Sequence, residues 1–402
     1  MSAHGRADSS GTGSPTGTGS PTGTGSPTGT GSPTGAGSPA GTGSPTGTGS
    51  PAGTGSPAGV GGPTSPGPAP ASGTDTGTPG RADVLTFGET MVALRGDGPL
   101  RLGGVMAVSV AGAESNVAIG LARLGHTVRW AGAVGDDEAG ELVLRTLRAE
   151  GVDVRGVSRD ATAPTGLLLF EPRLPEVTRV HYYRAGSAGS RLGADAVERA
   201  FASAAPPRVL HLTGITPALG ADARAACARA LRLAEEHSVR VCVDVNFRSR
   251  LWSREEASAV LRDWARYADV LIASDDELPL CLPAGRHDDA SDSIASQAQA
   301  LLGLGVREVV VKLGARGATA YTGTGELHRP ARTVRAVDAV GAGDAFVAGY
   351  LSALLDGADM ACRLERGVTT GAFAVASRGD WEGAPTRGEL GMLGAGDGAV
   401  LR

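Results

Sequence analysis

The sequence predicts an α/β domain: a mostly parallel sheet with helices on both faces, plus a small β-sheet lid. Apolar strand-like runs alternate with helical patterns through most of the chain, which is typical of parallel sheets. The main polar motifs each come directly after such a run, where ligands bind in sheets of this kind. Two patches of short strand-like pieces, at about 91–110 and 166–184, stand outside the alternation, and we expect them to form the lid.

The individual elements follow from the apolar pattern. The first buried strand is expected at residues 83–88, where an apolar run ends in Gly88. A helix is expected to begin near residue 111 and to run to Gly125. Further along, strands are predicted at 209–212, 239–245, 270–273 and 309–313, and helices at 219–237, 254–267, 295–302, 345–355 and 363–376.

Composition divides the chain into unequal parts. Residues 1–80 are almost entirely Gly, Ser, Thr, Pro and Ala, with a G-T-G-S-P-T/A hexad that repeats from Gly11 to about Ala58. Because this stretch has almost nothing apolar to bury, we expect a disordered tail, either passive or partner-binding. It lacks the charged start and apolar core of a secretion signal. Residues 81–392 are expected to form one domain, followed by a short tail at 393–402.

Charge and cysteine usage narrow the class of protein. The formal net charge is −5, from 37 basic and 42 acidic side chains, which argues against nucleic acid or an anionic membrane as a partner. No apolar run approaches the roughly 20 residues that span a bilayer. The four cysteines show no C-x-x-C spacing, and we expect buried thiols in a cytoplasmic protein: Cys227, Cys242, Cys281 and Cys362.

The most informative motif is Asp338-Ala-Val-Gly-Ala-Gly-Asp-Ala-Phe346, which leads into a helical run. Gly341 and Gly343 allow a tight turn, and the unpaired N–H groups of the helix start that follows form a site for an anion such as phosphate. Asp344 lies inside that site. As a helix N-cap it would be structural, whereas as a base beside a phosphoryl group it would accept a hydroxyl proton. The second interpretation is favoured.

Three further motifs carry polar residues at strand or helix ends. Gly112 and Asn116 lie at the start of the first predicted helix, where the alternative is a plain turn. Tyr182-Tyr183-Arg184 lies in the predicted lid. Strand alternation sends Tyr182 and Arg184 to one face and Tyr183 to the other, and the alternative is simple packing of one Tyr. Another polar set follows a strong strand and is expected to share one face at its end: Asp244, Asn246 and Arg248.

The remaining candidates are weaker when taken alone. Glu277 closes the run Ser274-Asp-Asp-Glu277, which otherwise suits the charged start of a helix. The segment from Lys312 to Gly317 ends a strand and turns on two glycines, Gly314 and Gly317. Asp380 follows Gly379 near the end of the chain, where an isolated acid is usually solvated. There is no G-x-x-x-x-G-K-[ST] motif and no dinucleotide-binding strand–glycine–helix unit, which argues against P-loop and Rossmann enzymes.

The motif at residues 338–346 resembles the D-T-x-G-A-G-D signature of the PfkB family of ribokinase-like sugar kinases, with Ala339 in place of Thr. Gly112, Asn116 and the later Gly125 and Gly135 are similar to the N-terminal signature of that family. Several segments resemble in particular the 2-keto-3-deoxygluconate kinases, and the resemblance covers about residues 82–390. These segments are Gly112-Ala-Glu-x-Asn-Val-Ala118, Tyr182-Tyr183-Arg184 and the run from Asp244 to Trp252, with Phe247 where Tyr is commoner. The run Ser274-Asp-Asp-Glu277 resembles the N-x-x-E element of the family as a whole, with Ser274 where Asn is usual.

This resemblance implies a ribokinase-like fold and phosphorylation of 2-keto-3-deoxygluconate on its terminal hydroxyl, with ATP and Mg²⁺. Asp344 would be the base, beside the N–H groups of Gly341, Ala342 and Gly343, and Glu277 would belong to the magnesium site. Residues implied for the sugar are Gly112, Asn116, Tyr182, Tyr183, Arg184, Arg248 and Asp380. Those implied for the nucleotide are Asn246, Arg248, Ser274, Lys312, Gly314, Gly317, Gly341 and Gly343.

Other readings of the same residues stay open. Another sugar kinase of the family, of the fructokinase or ribokinase type, would share the base but would have no carboxylate to recognise. A protein of a different class, a non-catalytic sugar sensor, would keep the fold without turnover. Members of the family often pair through their lids, so the resemblance also implies a homodimer.

Overall fold

The computed structural model describes residues 80–174, 177–283 and 293–394. The predicted repeat tail, apart from Gly80, and residues 395–402 lie outside the described residues. In chain order the strands are β1 (Val84–Phe87), β2 (Met91–Gly96), β3 (Met106–Ala111), β4 (Val128–Ala131), β5 (Ala133–Gly135), β6 (Ser158–Asp160), β7 (Leu167–Leu174), β8 (Val177–Tyr183), β9 (Val209–Thr213), β10 (Arg240–Asp244), β11 (Val270–Ser274), β12 (Glu308–Lys312), β13 (Ala318–Thr322) and β14 (Gly325–Arg329).

The helices alternate with these strands over most of the domain. They are α1 (Ala113–Arg123), α2 (Glu138–Ala149), α3 (Ala194–Ala202), α4 (Ala221–Glu236), α5 (Arg254–Ala265), α6 (Ile294–Gly303), α7 (Ala342–Leu355) and α8 (Met360–Val375). Side-chain caps fix several of the starts. At α5, for example, Ser253 and Glu256 form a reciprocal capping box.

The main sheet has eight strands in the order β14-β13-β12-β11-β10-β9-β1-β4. The strands from β12 to β4 are parallel, and β13 and β14 extend the edge as an antiparallel hairpin. Helices α3 to α6 cover one face and α1, α2, α7 and α8 cover the other. Because both faces are buried, the central strands are largely apolar, as in β11.

A second, four-stranded sheet forms the lid, in the order β3-β2-β7-β8. One face carries the small apolar cluster of Met91, Leu168 and Phe170. The other face leaves Val108 and Tyr183 about 60% exposed, at 59% and 61%. The predicted α/β class, with a mostly parallel sheet and a small second sheet, is confirmed.

Some elements were not predicted, and one residue was placed wrongly. The prediction lacked β4, β5, β6, the β13–β14 hairpin, and helices α2 and α3, and it started α7 and α8 three residues late. Three cysteines are buried thiols as expected, but Cys362 is exposed because it lies in the first turn of α8, where its N–H is bound by the N-cap Asp359. Within the described residues, no helix has the length and apolar character needed to cross a membrane.

Candidate active site

A cavity of about 1010 Å³ lies between the lid and the ends of the parallel strands. We call it the edge cavity. Lid residues such as Phe170 and Tyr182 line one side, and Lys312, at the end of β12, lines the other. Of the residues named as candidates from the sequence, thirteen line it: Gly112, Asn116, Tyr182, Arg184, Asn246, Arg248, Ser274, Glu277, Lys312, Gly341, Gly343, Asp344 and Asp380.

The start of α7 is shaped by glycine. Gly341 is the N-cap residue and has a φ of 75°, in the left-handed region that favours glycine. A Cβ atom at Gly341 would also overlap the carbonyl group of Asp380. The N–H of Ala342 donates a hydrogen bond to the carbonyl oxygen of Ala339 at 3.3 Å. This N–H group of the predicted anion site therefore already has a partner. Gly343 and Asp344 belong to the first helical turn, where N–H groups precede any intrahelical acceptor.

Asp344 is the third residue of α7 and not its N-cap, so the capping interpretation does not apply. Its carboxylate accepts hydrogen bonds from Nδ2 of Asn116 at 2.8 Å and from Nδ2 of Asn246 at 3.3 Å. Burial, reinforced by the nearby charge of Asp244, raises the pKa of Asp344 to about 7. A carboxyl group with that pKa can take up and release a proton near neutral pH.

The asparagines beside Asp344 keep unused acceptors. The Oδ1 atoms of Asn116 and Asn246 are buried and have no hydrogen-bond partner within the described residues. Asn246 also has a φ of 40°, which is uncommon for a residue other than glycine. Unsatisfied buried acceptors and a strained backbone are features that cluster where a ligand completes the structure.

A buried ion pair stands beside the α7 start. Nζ of Lys312 lies 2.7 Å from Oδ1 of Asp244, and Asp244 is fully buried. Burial alone would lower the pKa of Lys312, but the charges of Asp244 and Glu277 outweigh it and raise the pKa, so the ammonium stays charged. The nearest atom to a Cβ built on Gly343 is this Nζ, at 3.6 Å. A fixed positive charge therefore lies against the first turn of α7.

Glu277 joins the ends of two strands. One carboxylate oxygen accepts the N–H of Phe247 at 2.7 Å and the other accepts the N–H of Ser274 at 2.9 Å. Within the described residues, no group of three or more His, Cys, Asp or Glu side chains could hold a metal by itself. This donor set fits Mg²⁺ held mainly by phosphate oxygens and water, with a carboxylate nearby, which is the usual way that proteins bind it at phosphates.

On the lid side, Arg184 is already paired. Its Nε lies 2.7 Å and its Nη2 lies 2.5 Å from Oε2 of Glu89, a buried residue whose other oxygen accepts a hydrogen bond from Ser187. The ring of Tyr182 lies 5.8 Å from the guanidinium carbon, close enough for a cation–π contact. Tyr183 points to the opposite face of β8 and does not line the cavity.

Asp380 has an unexpected partner. Its carboxylate lies 2.5 Å from Nη2 of Arg95, a residue of the lid strand β2, and Nη1 of the same arginine lies 3.2 Å from Asp338. Burial raises the pKa of Asp380 to about 6. Arg95 thus links the lid to two loops, the one that precedes α7 and the one that follows α8.

Three other candidates do not line the edge cavity. Gly314 and Gly317 have φ values of 57° and 100° and shape the turn after β12, and a Cβ at Gly317 would overlap the backbone of Arg329. Ala342 is partly buried and is not part of the cavity lining. Arg248, in contrast, is exposed at the cavity, and its charge lowers the pKa of Asp344 against the effect of burial.

Comparison with known proteins decides the family, because the model described as pfkB family carbohydrate kinase matches residues 81–387. The chain belongs to this family. Across 319 residues it is 36% identical to 2-dehydro-3-deoxygluconokinase of Bacillus subtilis, covering 77% of this chain and 94% of that one. It is 33% identical to 2-dehydro-3-deoxygalactonokinase of Haloferax volcanii, covering 74% and 92%.

Solved structures agree with this membership. The chain superposes on 2-dehydro-3-deoxygluconokinase from Thermotoga maritima with a TM-score of 0.67 at 26% identity, covering 78% of this chain and 98% of that one. It superposes on fructokinase from Xylella fastidiosa with bound ATP with a TM-score of 0.66 at 26% identity and the same coverage. The protein is therefore a sugar kinase of the pfkB family with a ribokinase-like fold.

Sequence reasoning gave no site role to two residues that line the cavity, Glu89 and Glu114, or to Arg95, which pairs with the cavity residue Asp380. Glu89 follows β1, so the rule that ligands gather at strand ends could have found it. Glu114 is buried and accepts hydrogen bonds from the hydroxyls of Thr213 and Thr216, both at 2.6 Å, and burial raises its pKa. Arg95 carries no local signal, since its partners lie far along the chain.

The pKa of Asp344 has a consequence for stability. In an unfolded chain an Asp titrates near pH 4, so between about pH 4 and 7 the folded kinase binds the extra proton and loses stability as pH rises. We expect Asp344→Asn, which cannot ionise, to be more stable than the native chain at pH 8, by on the order of a few kcal/mol. Urea unfolding at pH 5 and pH 8 measures this, with a smaller gain expected at pH 5. A variant no more stable than the native chain at pH 8 contradicts the burial argument.

Proposed function

We propose that this kinase transfers the γ-phosphoryl group of ATP to the terminal C6 hydroxyl of 2-keto-3-deoxygluconate, giving 2-keto-3-deoxy-6-phosphogluconate and ADP. One observation carries the proposal. A carboxyl group with a pKa near 7 stands at an anion-binding helix start, in the same cavity as a lid guanidinium that suits a substrate carboxylate. The relatives named above, which act on closely related acid sugars by their names, support it.

In the proposed reaction Asp344 accepts the proton of the attacking hydroxyl. Asn116 and Asn246 hold its carboxylate in place with their amide N–H groups and keep their oxygens free for substrate hydroxyls. The N–H groups at Gly341, Gly343 and Asp344, together with Lys312, stabilise the negative charge that builds on the transferred group.

The nucleotide and its metal ion fit the remaining residues. Mg²⁺ would neutralise charge on the phosphate oxygens, and Glu277 would belong to its site. Asn246, Arg248, Ser274 and Lys312 are assigned to the nucleotide side. Gly314 and Gly317 act only by fixing the turn that follows Lys312.

The acid sugar is assigned to the lid side of the cavity. Arg184 uses two nitrogens on Glu89, so its remaining N–H donors, chiefly at Nη1, are those available to a sugar carboxylate. Tyr182, Gly112, Arg248 and Asp380 complete the sugar side, and Tyr183 is left out because it faces away. Nothing among these residues separates the gluconate from the galactonate epimer, and the Haloferax relative makes the galactonate form the second candidate.

The proposal extends to the domain bounds, the oligomeric state and the cellular location of the protein. Residues 81–392 form the kinase domain, between a long tail and a short C-terminal segment. The exposed lid face with Val108 and Tyr183 offers an apolar surface for a homodimer. A cytoplasmic location fits the free thiols.

The purified full chain tests the proposal directly. With ATP, Mg²⁺ and 2-keto-3-deoxygluconate we expect ADP release and a product whose phosphorus couples in ³¹P NMR to the protons on C6. A phosphate on another carbon would contradict the assigned hydroxyl. Release of no ADP with any sugar would favour the non-catalytic sensor.

The pH dependence of turnover follows from the base. Asp344 accepts a proton only when ionised, and its pKa is raised to about 7. We therefore expect kcat/KM to rise with pH and to level off above about pH 7, falling roughly tenfold per unit on the acid side. Affinity for the magnesium–ATP complex, measured at the same pH values, is the control. A flat kcat/KM between pH 5.5 and 8 would contradict the role of Asp344.

Gly341→Ala tests the close approach at the α7 start. The new methyl group would collide with the carbonyl of Asp380 and force the two loops apart, so we expect kcat to fall at least about tenfold. The matched control is Gly357→Ala, which has the same φ of 75° but open space around its Cβ position. If both variants lose activity equally, the overlap at Gly341 is not the cause.

A further inference from the structure

A second cavity, of about 580 Å³, opens at the N-terminal ends of the parallel strands, on the side of the main sheet opposite the edge cavity. Arg208 directly precedes β9, Arg240 is the first residue of β10, and Arg307 directly precedes β12. Arg81 comes shortly before β1, and Arg266 caps the end of α5. The sheet order places β1, β9, β10, β11 and β12 side by side, so these arginines gather along one edge. We call this cavity the arginine basin.

The charge of the arginine basin is not balanced within it. Five guanidinium groups face two carboxylates, Glu235 and Asp269. Arg307 lies 3.1 Å from Asp269, and Arg208 lies 2.9 Å from Asp83, just outside the lining. These two arginines are the ones with ion-pair partners.

The other three have no carboxylate within ion-pair distance in the described part of the chain. Arg81 donates to the carbonyl of Pro207 at 3.2 Å, and Arg266 donates to the hydroxyl of Tyr267 at 3.2 Å. Each guanidinium has five N–H donors, so most remain free. The negative end of a helix dipole would account for Arg266 alone, because Arg81 and Arg240 do not lie on helices.

We propose that the arginine basin binds a small anion with several negative charges, carried by phosphate or carboxylate groups. Arginine suits both groups because its planar fork can donate two parallel hydrogen bonds. The basin has the size of small-molecule sites in general. Val209, Leu231 and the ring of Tyr267 give it an apolar wall for the carbon part of such a ligand. Arg240 is the first residue of β10 and Asp244 is the last, so roughly 13 Å of strand separates this site from the edge cavity.

Isothermal titration calorimetry with inorganic pyrophosphate, and separately with citrate, tests the proposal on the full chain. The test variant is Arg240→Gln/Arg266→Gln, which removes two of the unpaired charges from exposed positions. The matched control is Arg145→Gln/Arg148→Gln, which removes two exposed arginines from α2, away from the basin. The comparison of the two variants locates the binding even if pyrophosphate also enters the edge cavity.

For at least one of the two probes we expect the test variant to lose one binding site of the native chain, with affinity weakened at least tenfold, and the control to match the native chain. A response to pyrophosphate assigns the site to phosphate groups, and a response to citrate assigns it to carboxylates. Identical isotherms for all three proteins, with both probes, would overturn the proposal. Equal weakening in the test and control variants would also overturn it, since only general charge attraction would remain.

Discussion

Asp344→Asn is expected to lower kcat by about a thousandfold or more while the kinase still binds ATP. A positioned base contributes about 10²–10⁴-fold to proton transfer. Asn keeps the shape and the contact with Asn116 but cannot accept the hydroxyl proton. An amide at residue 344 also lacks the negative charge of the ionised Asp344, which lies at the start of α7 near the positive charges of Lys312 and Arg248. Steady-state kcat and calorimetric affinity for ATP measure the two parts of the prediction.

The control for this variant is Asp222→Asn. Asp222 also lies in the first turn of a long helix, α4, but it is exposed and does not line the edge cavity. Its replacement should leave kcat unchanged. If Asp344→Asn keeps more than about a tenth of native activity, Asp344 is not the base.

Loss of Arg184 is expected to be the second large effect, and it should act on the substrate carboxylate. Charge-assisted hydrogen bonds are worth about 1.5–3 kcal/mol each, so kcat/KM for the acid sugar should fall by about a hundredfold. For a neutral sugar such as fructose the change should be small. The ratio between the two substrates is the measurement, because a general loss of folding would lower both.

Because Arg184 is paired with Glu89, the test of Arg184 needs a double variant as well as the single one. Arg184→Gln alone would leave Glu89 buried beside an uncharged group, and that cost could disturb the lid. Glu89→Gln/Arg184→Gln removes both charges and should show the same loss of preference for the acid sugar. Glu89→Gln alone keeps the guanidinium and should keep the preference. If the double variant still prefers the acid sugar, another residue reads the carboxylate.

Local patterns in the sequence account for most of the fold and for the centre of the candidate site. Strands buried on both faces require largely apolar runs, as in β11, so strands of this kind could be predicted directly from the sequence. The glycine pair at 341 and 343 and the acid at 344 are close neighbours in the chain. The turn and the helix after it could therefore be predicted before any tertiary contact was known, although the helix was predicted to start three residues late.

Long-range pairing could not be predicted in the same way. Arg95 meets Asp338 and Asp380 across 243 and 285 residues, and nothing near residue 95 announces either contact. Arg184 was expected to face a ligand, and its alternation with Tyr183 places it on the cavity side. Its partner Glu89 lies 95 residues earlier in the chain, so the ion pair between them could not be predicted from the sequence around residue 184. Cys362 was assigned to the core from residue type alone, although the helix turn directs it outward.

The central claim is that this pfkB kinase prefers an acid sugar to a neutral one as its substrate. Values of kcat/KM, measured from ADP release, test it most directly. The substrates are 2-keto-3-deoxygluconate, its galactonate epimer, fructose and ribose, each with ATP and Mg²⁺. We expect the acid sugars to be preferred by a hundredfold or more, which corresponds to about 2.7 kcal/mol of transition-state discrimination. Equal or better turnover of fructose or ribose would contradict the claim and would make the protein a neutral-sugar kinase.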